Sequence, residues 1–540
     1  MRQMTAAEAT VETLLRHGVD TIYGVPGIHN DPLFDAFWHR RDELRVLHAR
    51  HEQTAGYMAL GAAMATGKPQ VFSVVPGPGV LNAGAALLTA SSLCAPVVGL
   101  IGQIPQSEID RGLGQLHEMH DQIGMIRHIT KSAERISHPS EAPEVTARAI
   151  RTAMSGRRGA TAVECAIDMW GRSAPVSFED IQAPVTPPLD EAAIEKAAAL
   201  IANAKRPMIV VGGGAKDASA EVIALAELLE APVCGHRSGR DVVPTAHRLF
   251  VNLPVAHRLW KDVDLVIGIG TRLLIQQQGW GLDNDIAVVR IDIDPTEPER
   301  FRKPAAAVVG DAGVVLRKML QVLPAHLAPP ASREDELAGH REWLAERLSR
   351  LEPQRSFLNA IRAALPDDGI VVEDVTQLGF AGRMAFETRR PRTYLSPGYQ
   401  DNLGWAYGTA LGAKAAQPNK AVVAVMGDGG FMYQAAELAT AMQHGIAVIG
   451  VVFDNAAFGN VRLIQKAHYG ARYISSDLKN PDFGDFAKSF GVATYRAETP
   501  DQLQAALTTA IAKDVPALVH VPCGEMPSPW DMILMPRIRG

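Results

Sequence analysis

Cysteine is scarce in this chain. Four residues in 540 (Cys94, Cys165, Cys234 and Cys523), none in a CxxC pair and each in an apolar setting, exclude a disulfide framework and a thiolate metal site. They read as buried reduced thiols. No apolar run reaches the roughly 20 residues that cross a bilayer. The opening MRQMTAAEAT lacks the apolar stretch of a secretory leader, so a cytoplasmic protein without a membrane partner is expected. Neither sign of charge is in excess. The 53 basic and 59 acidic residues leave a net −6, with no basic field to hold nucleic acid. Aromatics are sparse at 6 %, whereas glycine is plentiful at 47 residues, which favours closely packed helices on sheets. Hydrophobic residues at 47 % and charged residues at 21 % exclude wholesale disorder.

The length exceeds one ordinary core and suggests roughly two to four domains. Two Pro-rich stretches, Ser173 to Leu189 and Leu323 to Glu336, carry neither helical nor strand period and divide the chain. The expected domains are residues 1–172, 190–323 and 337–540. Each segment alternates short β-branched runs with Ala-rich amphipathic stretches. QVFSVVPGPG, APVVGLIGQ and ATAVECAID lie in the first, PMIVVGGGA, DLVIGIGTRL and AVVRIDIDP in the second, and GIVVEDV, KAVVAVMGDGG, IAVIGVVFDN and PALVHVP in the third. That alternation is the signature of parallel sheets wound with helices, so the expected fold is three consecutive doubly wound α/β domains.

The most informative stretch runs from Gly427 to Val461. The strand AVVAVM ends in Gly427-Asp428-Gly429-Gly430, a helix follows, and a second apolar strand ends in Asp454-Asn455. Glycines at a strand end let backbone approach a phosphate, and the following helix N-terminus offers it unpaired N–H groups. Asp428 and Asn455 fall at the carboxyl ends of parallel strands, where open α/β sheets bind ligands. A carboxylate with an amide oxygen is a hard-oxygen set suited to Mg²⁺ or Ca²⁺ holding a diphosphate. Taken singly, each pattern also describes an ordinary turn; the pair, one βαβ unit apart, is what selects the ligand site.

At these residues the chain resembles, over nearly its whole length, the thiamine diphosphate-dependent enzymes of the acetolactate synthase, pyruvate decarboxylase and benzaldehyde lyase group. The resemblance implies pyrimidine-binding, central and diphosphate-binding domains in that order. It makes Asp428 and Asn455 side-chain ligands of Mg²⁺, with a backbone oxygen from Ala457. It brings Gly427, Gly429, Gly430, Phe458 and Gly459 to the diphosphate, and Thr376 and Gln377 to the start of the diphosphate loop. Asp454 departs from the family's first asparagine. Arg50-His51-Glu52-Gln53 is similar to the pyrimidine-binding glutamate motif, so Glu52 is the expected proton-moving acid; alone, it would read as an exposed glutamate opening a helix. Pro76-Gly77-Pro78-Gly79 with Asn82 resembles the glycine-rich loop beside the pyrimidine, and Pro26 joins the cofactor contacts. Leu403 matches the bulky residue that bends the cofactor, although helix packing also accounts for it. Asp401 stands where relatives carry a small residue.

The reaction class follows from the same resemblance. Pyruvate decarboxylases carry an acid near residue 28, a histidine pair, and a glutamate after the metal asparagine; here stand Ile28, no adjacent histidine pair, and Val461. Aromatic-oxoacid decarboxylases place a histidine where Val75 stands. His29 has a counterpart in benzaldehyde lyase, and His117 takes the place of that lyase's active-site glutamine, with Gln115 two residues earlier and His120 a close competitor. A neutral imidazole there could relay a proton to an acyloin hydroxyl, and Asn460 could orient a substrate carbonyl. The middle domain's GGGA is not a full dinucleotide fingerprint. The stretch from His247 to Asp264 lacks the flavin-binding relatives' Met-His-Gly-Thr segment, so FAD is not expected. The sequence thus implies acetolactate-synthase-like carboligation of a 2-oxo acid or aldehyde donor through an enamine, in a homodimer or homotetramer with sites between subunits. Acyloin cleavage and 2-oxo acid decarboxylation are the alternatives, with a non-catalytic cofactor-binding subunit or a flavin-free oxidative relative behind them. The C-terminal PSPWDMILMPRIRG is apolar enough to cover a site entrance, or to pack on its own domain.

Overall fold

The computed structural model describes residues 2–327 and 329–540. Three six-stranded sheets follow one another along the chain, each with all strands parallel. In spatial order the first holds Arg45–His48, Thr21–Gly24, Gln70–Val74, Val97–Gln103, Thr161–Ala166 and Ser132–Ile136. The second holds Phe250–Val251, Val233–Gly235, Pro207–Val211, Leu265–Ile269, Ala287–Asp292 and Ala306–Val309. The third holds Tyr394–Leu395, Ile370–Glu373, Val422–Gly427, Val448–Asp454, Ala517–Pro522 and Ala493–Arg496. The central strands are mostly apolar and are buried along nearly their whole length, as sheets covered by helices on both faces require.

Counting strands within each sheet, the first and third share the order 2-1-3-4-6-5, and the second follows 3-2-1-4-5-6. Each order reverses beside its first strand, where loops leave neighbouring strands in opposite directions and open a crevice. In the third sheet the crevice lies between Ile370–Glu373 and Val422–Gly427, so Thr376, Gln377 and Asp428 emerge together. In the first it lies between Thr21–Gly24 and Gln70–Val74, bringing the Pro26–His29 turn beside Val75 and Gly77.

The first and third domains meet through helices Glu52–Thr66 and Ala406–Ala416, which cross almost backbone to backbone. A Cβ on Gly61 would stand 1.9 Å from the Thr409 carbonyl oxygen, and one on Gly412 would stand 1.8 Å from that of Met58. Only glycine fits at either crossing point.

The Pro-rich stretches differ from expectation at their ends. Ser173–Val176 is a strand, paired antiparallel with Arg2–Thr5 in a separate two-stranded sheet that tolerates Pro175 because every strand in it is an edge. Its four residues are too few to show a period. At the second stretch, helix Glu334–Leu348 begins inside the Leu323 to Glu336 segment, its first turn carrying Glu334, Asp335 and Glu336, where acids favour a helix start.

Candidate active site

In the third sheet, register sets Gly427 beside Phe453, so Asp428 and Asp454 leave the sheet at one level and Asn455 follows. Asp428 is only 2 % exposed. Its carboxylate accepts the Ala457 N–H at 3.2 Å and the Asn480 amide at 2.7 Å; Asn480 also donates to Asp454 at 2.9 Å. Burial, with the neighbouring Asp454 charge, pushes the Asp428 carboxyl above its usual range. Among the described residues no lysine or arginine pairs with it. Asp454 meets the His520 ring at 3.1 Å and turns the chain through the Ala456 N–H at 3.1 Å. Ala456, two residues after Asp454, sits at φ +52°, a left-handed conformation unfavourable for alanine, held by the Leu478 N–H on its carbonyl at 2.8 Å. Held in this way, the loop presents Asn455 and Ala457.

The surroundings fit a phosphate-bearing group and its cation. A cavity of about 290 Å³ is lined by Gln377, Asn455, Ala457, Gly459 and Arg462. Gln377 is 7 % exposed, yet both polar atoms of its amide lack a partner among the described residues. Helix Gln377–Ala385 starts there, capped by the Thr376 hydroxyl, which accepts the Gly379 N–H at 2.8 Å. Helix Gly459–His468 starts on the opposite side with no side-chain cap. A Cβ on Gly429 would stand 2.6 Å from the Phe458 ring, and one on Gly430 would stand 2.6 Å from Asp374, so backbone alone forms this wall. Leu403 lies beside Gly430. Asp374, fully buried and pushed by burial to about 7, grips the Gly404 N–H at 3.0 Å and so fixes the turn that carries Leu403.

In the first domain, Glu52 opens helix Glu52–Thr66 and stays half-exposed, accepting the Asn82 amide at 2.9 Å. The backbone just before it is gripped from the third domain, where the buried Glu437 carboxylate accepts the Arg50 N–H at 3.1 Å. His29 and His117 stack, with ring centroids 5.0 Å apart and planes inclined by 26°. The sequence shows no adjacent histidine pair; the fold builds one from residues far apart. One His29 nitrogen bonds to the Leu116 backbone, and burial, with the His117 charge, lowers its pKa. The Nδ1 atoms of both rings are buried without a partner. His117 itself sits at φ +64°.

The other expected residues are dispersed. Gln115 is exposed, with its N–H bonded to Glu118 at 2.9 Å. Pro26 and Ile28 are exposed on the turn before His29, and Val75 is buried against Gly27 and Gly79. The Asp401 carboxylate is engaged by Arg383 at 2.5 Å and by Arg237 of the central domain at 2.8 Å. Asn460 accepts the Trp530 indole N–H at 2.7 Å, so the C-terminal segment packs on the helix that carries Val461, which is exposed. Beyond Trp530 the tail reaches the central domain, where Arg539 pairs with Asp283 at 3.0 Å. Asn480, His520, Glu437 and Asp374 are absent from the sequence expectations; the first three lie outside any glycine-rich or paired-acid pattern, and Asp374, although it follows Glu373, reads as the end of a strand. In the central domain a separate cavity of about 460 Å³ opens at the reversal point of the sheet, lined by Gly212–Gly214, Gly270, Asp292, Arg157 and Arg237.

Three family descriptions match consecutive parts of the chain: thiamine pyrophosphate enzyme N-terminal TPP binding domain at residues 4–125, central domain at 194–319, and C-terminal TPP binding domain at 374–521. The chain belongs to the thiamine pyrophosphate enzyme family. A probable 2-ketoarginine decarboxylase of Pseudomonas aeruginosa is 32 % identical, over 96 % of this chain and 94 % of the relative. A probable acetolactate synthase large subunit of Methanocaldococcus jannaschii is also 32 % identical, over 96 % and 92 %. The acetolactate synthase isozyme 1 large subunit of Escherichia coli is 29 % identical, over 96 % and 94 %. The member described here is therefore a thiamine diphosphate-dependent enzyme with acetolactate synthase-like relatives. No described helix is long and apolar enough to cross a membrane.

Proposed function

We propose that this family member joins the acyl part of a 2-oxo acid or aldehyde donor to a carbonyl acceptor, as acetolactate synthases do. The observation that carries the reading is a pair of apolar residues, Val461 on the helix that starts at the cavity and Val75 against Gly27 and Gly79, which by the family resemblance stand where decarboxylases carry proton donors. When bound, thiamine diphosphate supplies a nucleophilic carbon that adds to carbonyls and stores the electron pair released beside them. Asp428, Asn455 and the Ala457 carbonyl would hold Mg²⁺, an oxygen donor set that suits a hard cation. Gly429, Gly430, Gln377 and the start of helix Gly459–His468 would hold the diphosphate. Glu52 moves a proton at its carboxyl while Asn82 orients it. Leu403 supports the cofactor from the turn fixed by Asp374.

A second reading, decarboxylation ended by protonation, is favoured by the His29–His117 stack and by the decarboxylase relative. Its depressed pKa keeps His29 neutral near pH 7, with one nitrogen free to accept and the other already hydrogen-bonded. Run backwards, the ligation is acyloin cleavage, and it uses the same groups. Flavin has no part in any of these redox-neutral steps. The visible absorbance of the purified protein tests the expected absence of FAD against the central-domain cavity.

The working form is a dimer or tetramer, with each site completed by a second copy. Leu81 beside Asn82 is 55 % exposed and Tyr433 near Gly430 is 58 % exposed, so apolar surface surrounds both halves of the site. Four unpaired cysteines accord with a cytoplasmic setting. Product analysis with thiamine diphosphate, Mg²⁺ and pyruvate, with and without an aldehyde, tests the assignment. Carbon dioxide with acetolactate or a mixed acyloin supports carboligation. Free aldehyde as the sole organic product selects the second reading. Untouched pyruvate overturns pyruvate as donor and moves the assay to larger 2-oxo acids and acyloins.

A further inference from the structure

Gln122 lies at the start of helix Gln122–Ile129, fully buried in a region with no assigned chemistry. An amide in a core needs partners for both ends, and this one has three. Its Oε1 accepts the Gly77 N–H at 2.8 Å; its Nε2 donates to the Gly102 carbonyl at 3.1 Å and to Glu164 at 2.8 Å. Glu164 is fully buried as well. It also accepts the Gln103 amide at 3.0 Å and is neutralised by Arg135 at 2.5 Å, whose side chain reaches the surface.

The far end of this chain of bonds is Gly77, at φ +56° and ψ −114°, a conformation that side chains resist. Gly77 is the last residue before helix Pro78–Ser92, and no side chain caps that helix. Backbone bonds from Gly79 to Pro76 and from Leu81 to Gly77 close the turn, and the Gln122 oxygen is the side-chain acceptor that holds its Gly77 N–H. That helix carries Asn82, which holds the Glu52 carboxyl at 2.9 Å. The same turn abuts the loop that presents His117, since a Cβ on Gly77 would stand 2.6 Å from the His117 carbonyl oxygen.

We infer that Gln122 is a positioning residue: through Gly77 and helix Pro78–Ser92 it sets Asn82, and so the orientation of the Glu52 carboxyl toward the cofactor. The inference rests on Glu52 being the proton-moving group. An amide accepts from Gly77 at one end and donates to the buried carboxylate from the other without adding charge. Apolar replacement leaves the Gly77 N–H and one Glu164 lone pair unmet in a core, which removes the reason for the strained turn to persist.

The test reads proton exchange rather than turnover. Deuterium exchange at the reactive ring carbon of bound thiamine diphosphate is followed by quenched-flow NMR in the Mg²⁺-loaded holoenzyme. It is compared in the parent, Gln122→Met, Gln122→Glu and Glu52→Gln, with cofactor affinity by calorimetry and thermal unfolding alongside. Gln122→Met should exchange at least tenfold more slowly while binding the cofactor within threefold of the parent. Exchange within threefold of the parent overturns the role. Gln122→Glu, once protonated, can again accept from Gly77 and donate to Glu164. Its rate relative to the parent should rise at least threefold between pH 8 and pH 5.5. If the methionine variant does not fold, this ratio decides, and a pH-independent ratio overturns the role. Parent-like exchange in Glu52→Gln overturns the reading of Glu52. Slow exchange there with parent-like exchange in both Gln122 variants overturns the role of Gln122 alone.

Discussion

Glu52→Gln keeps the side chain's size and an oxygen for the Asn82 amide, while it removes the exchangeable carboxyl proton. Cofactor affinity should hold, and turnover should fall about 10²- to 10⁴-fold, the usual contribution of general acid–base catalysis; steady-state kinetics beside calorimetry check this. Asp428→Ala has the opposite profile, because it removes the buried carboxylate of the cation set. Calorimetry should then show no Mg²⁺-dependent binding of thiamine diphosphate. His29 and His117 offer a third test at this scale. If the stacked rings act as one proton-carrying unit, the double alanine variant should be little slower than the worse single variant, since residues acting together are not additive.

Among the elements, the crossing of Glu52–Thr66 with Ala406–Ala416 is the least forgiving, since each glycine faces a carbonyl that a methyl group would strike. Gly61→Ala or Gly412→Ala should lower stability by about 1–3 kcal/mol or more, as overpacking does, and should loosen the first domain from the third. Thermal unfolding and limited proteolysis check both effects. This contact was not legible in the sequence, where Gly61 and Gly412 sit in Ala-rich helices with no partner in view. The sheets themselves were legible, because their central strands are mostly apolar runs with few polar residues. The strands that escaped notice, such as Ser132–Ile136, Val233–Gly235 and Ala493–Arg496, lie near or at sheet edges, are short, or mix polar residues into the run. At the site, the glycine turn at Gly427–Gly430 and the turn at Asp454-Asn455 show themselves because strand ends carry a local pattern. Glu437, Asp374 and Gln122 show nothing, because a buried polar residue is defined by partners distant in sequence.

At the scale of the molecule, buried histidines oppose stability in acid. His236 lines the cavity at the central domain, its two ring nitrogens are buried without a partner among the described residues, and burial with Arg237, Arg383 and Arg240 nearby holds its pKa well below 6.5. In the unfolded chain it takes up a proton below about pH 6.5, which the folded chain refuses. Its cost is therefore absent above that pH and grows as pH falls through and below it. His236→Asn should lose less stability relative to the parent at pH 5 than at pH 8, or gain stability at pH 5, whereas a pH-independent packing change gives the same loss at both. Chemical denaturation at both values should show the difference shifting toward the variant in acid. The assembly can be tested with equal force. If each site takes Glu52 from one copy and Asp428 from another, Glu52→Gln and Asp428→Ala chains are each inactive alone. Mixed one to one and allowed to exchange, a twofold-symmetric dimer contains one intact site in each hybrid. Random pairing makes half the dimers hybrids, so about a quarter of parental activity should return. A site contained within one chain would return none, because each chain carries one of the two defects.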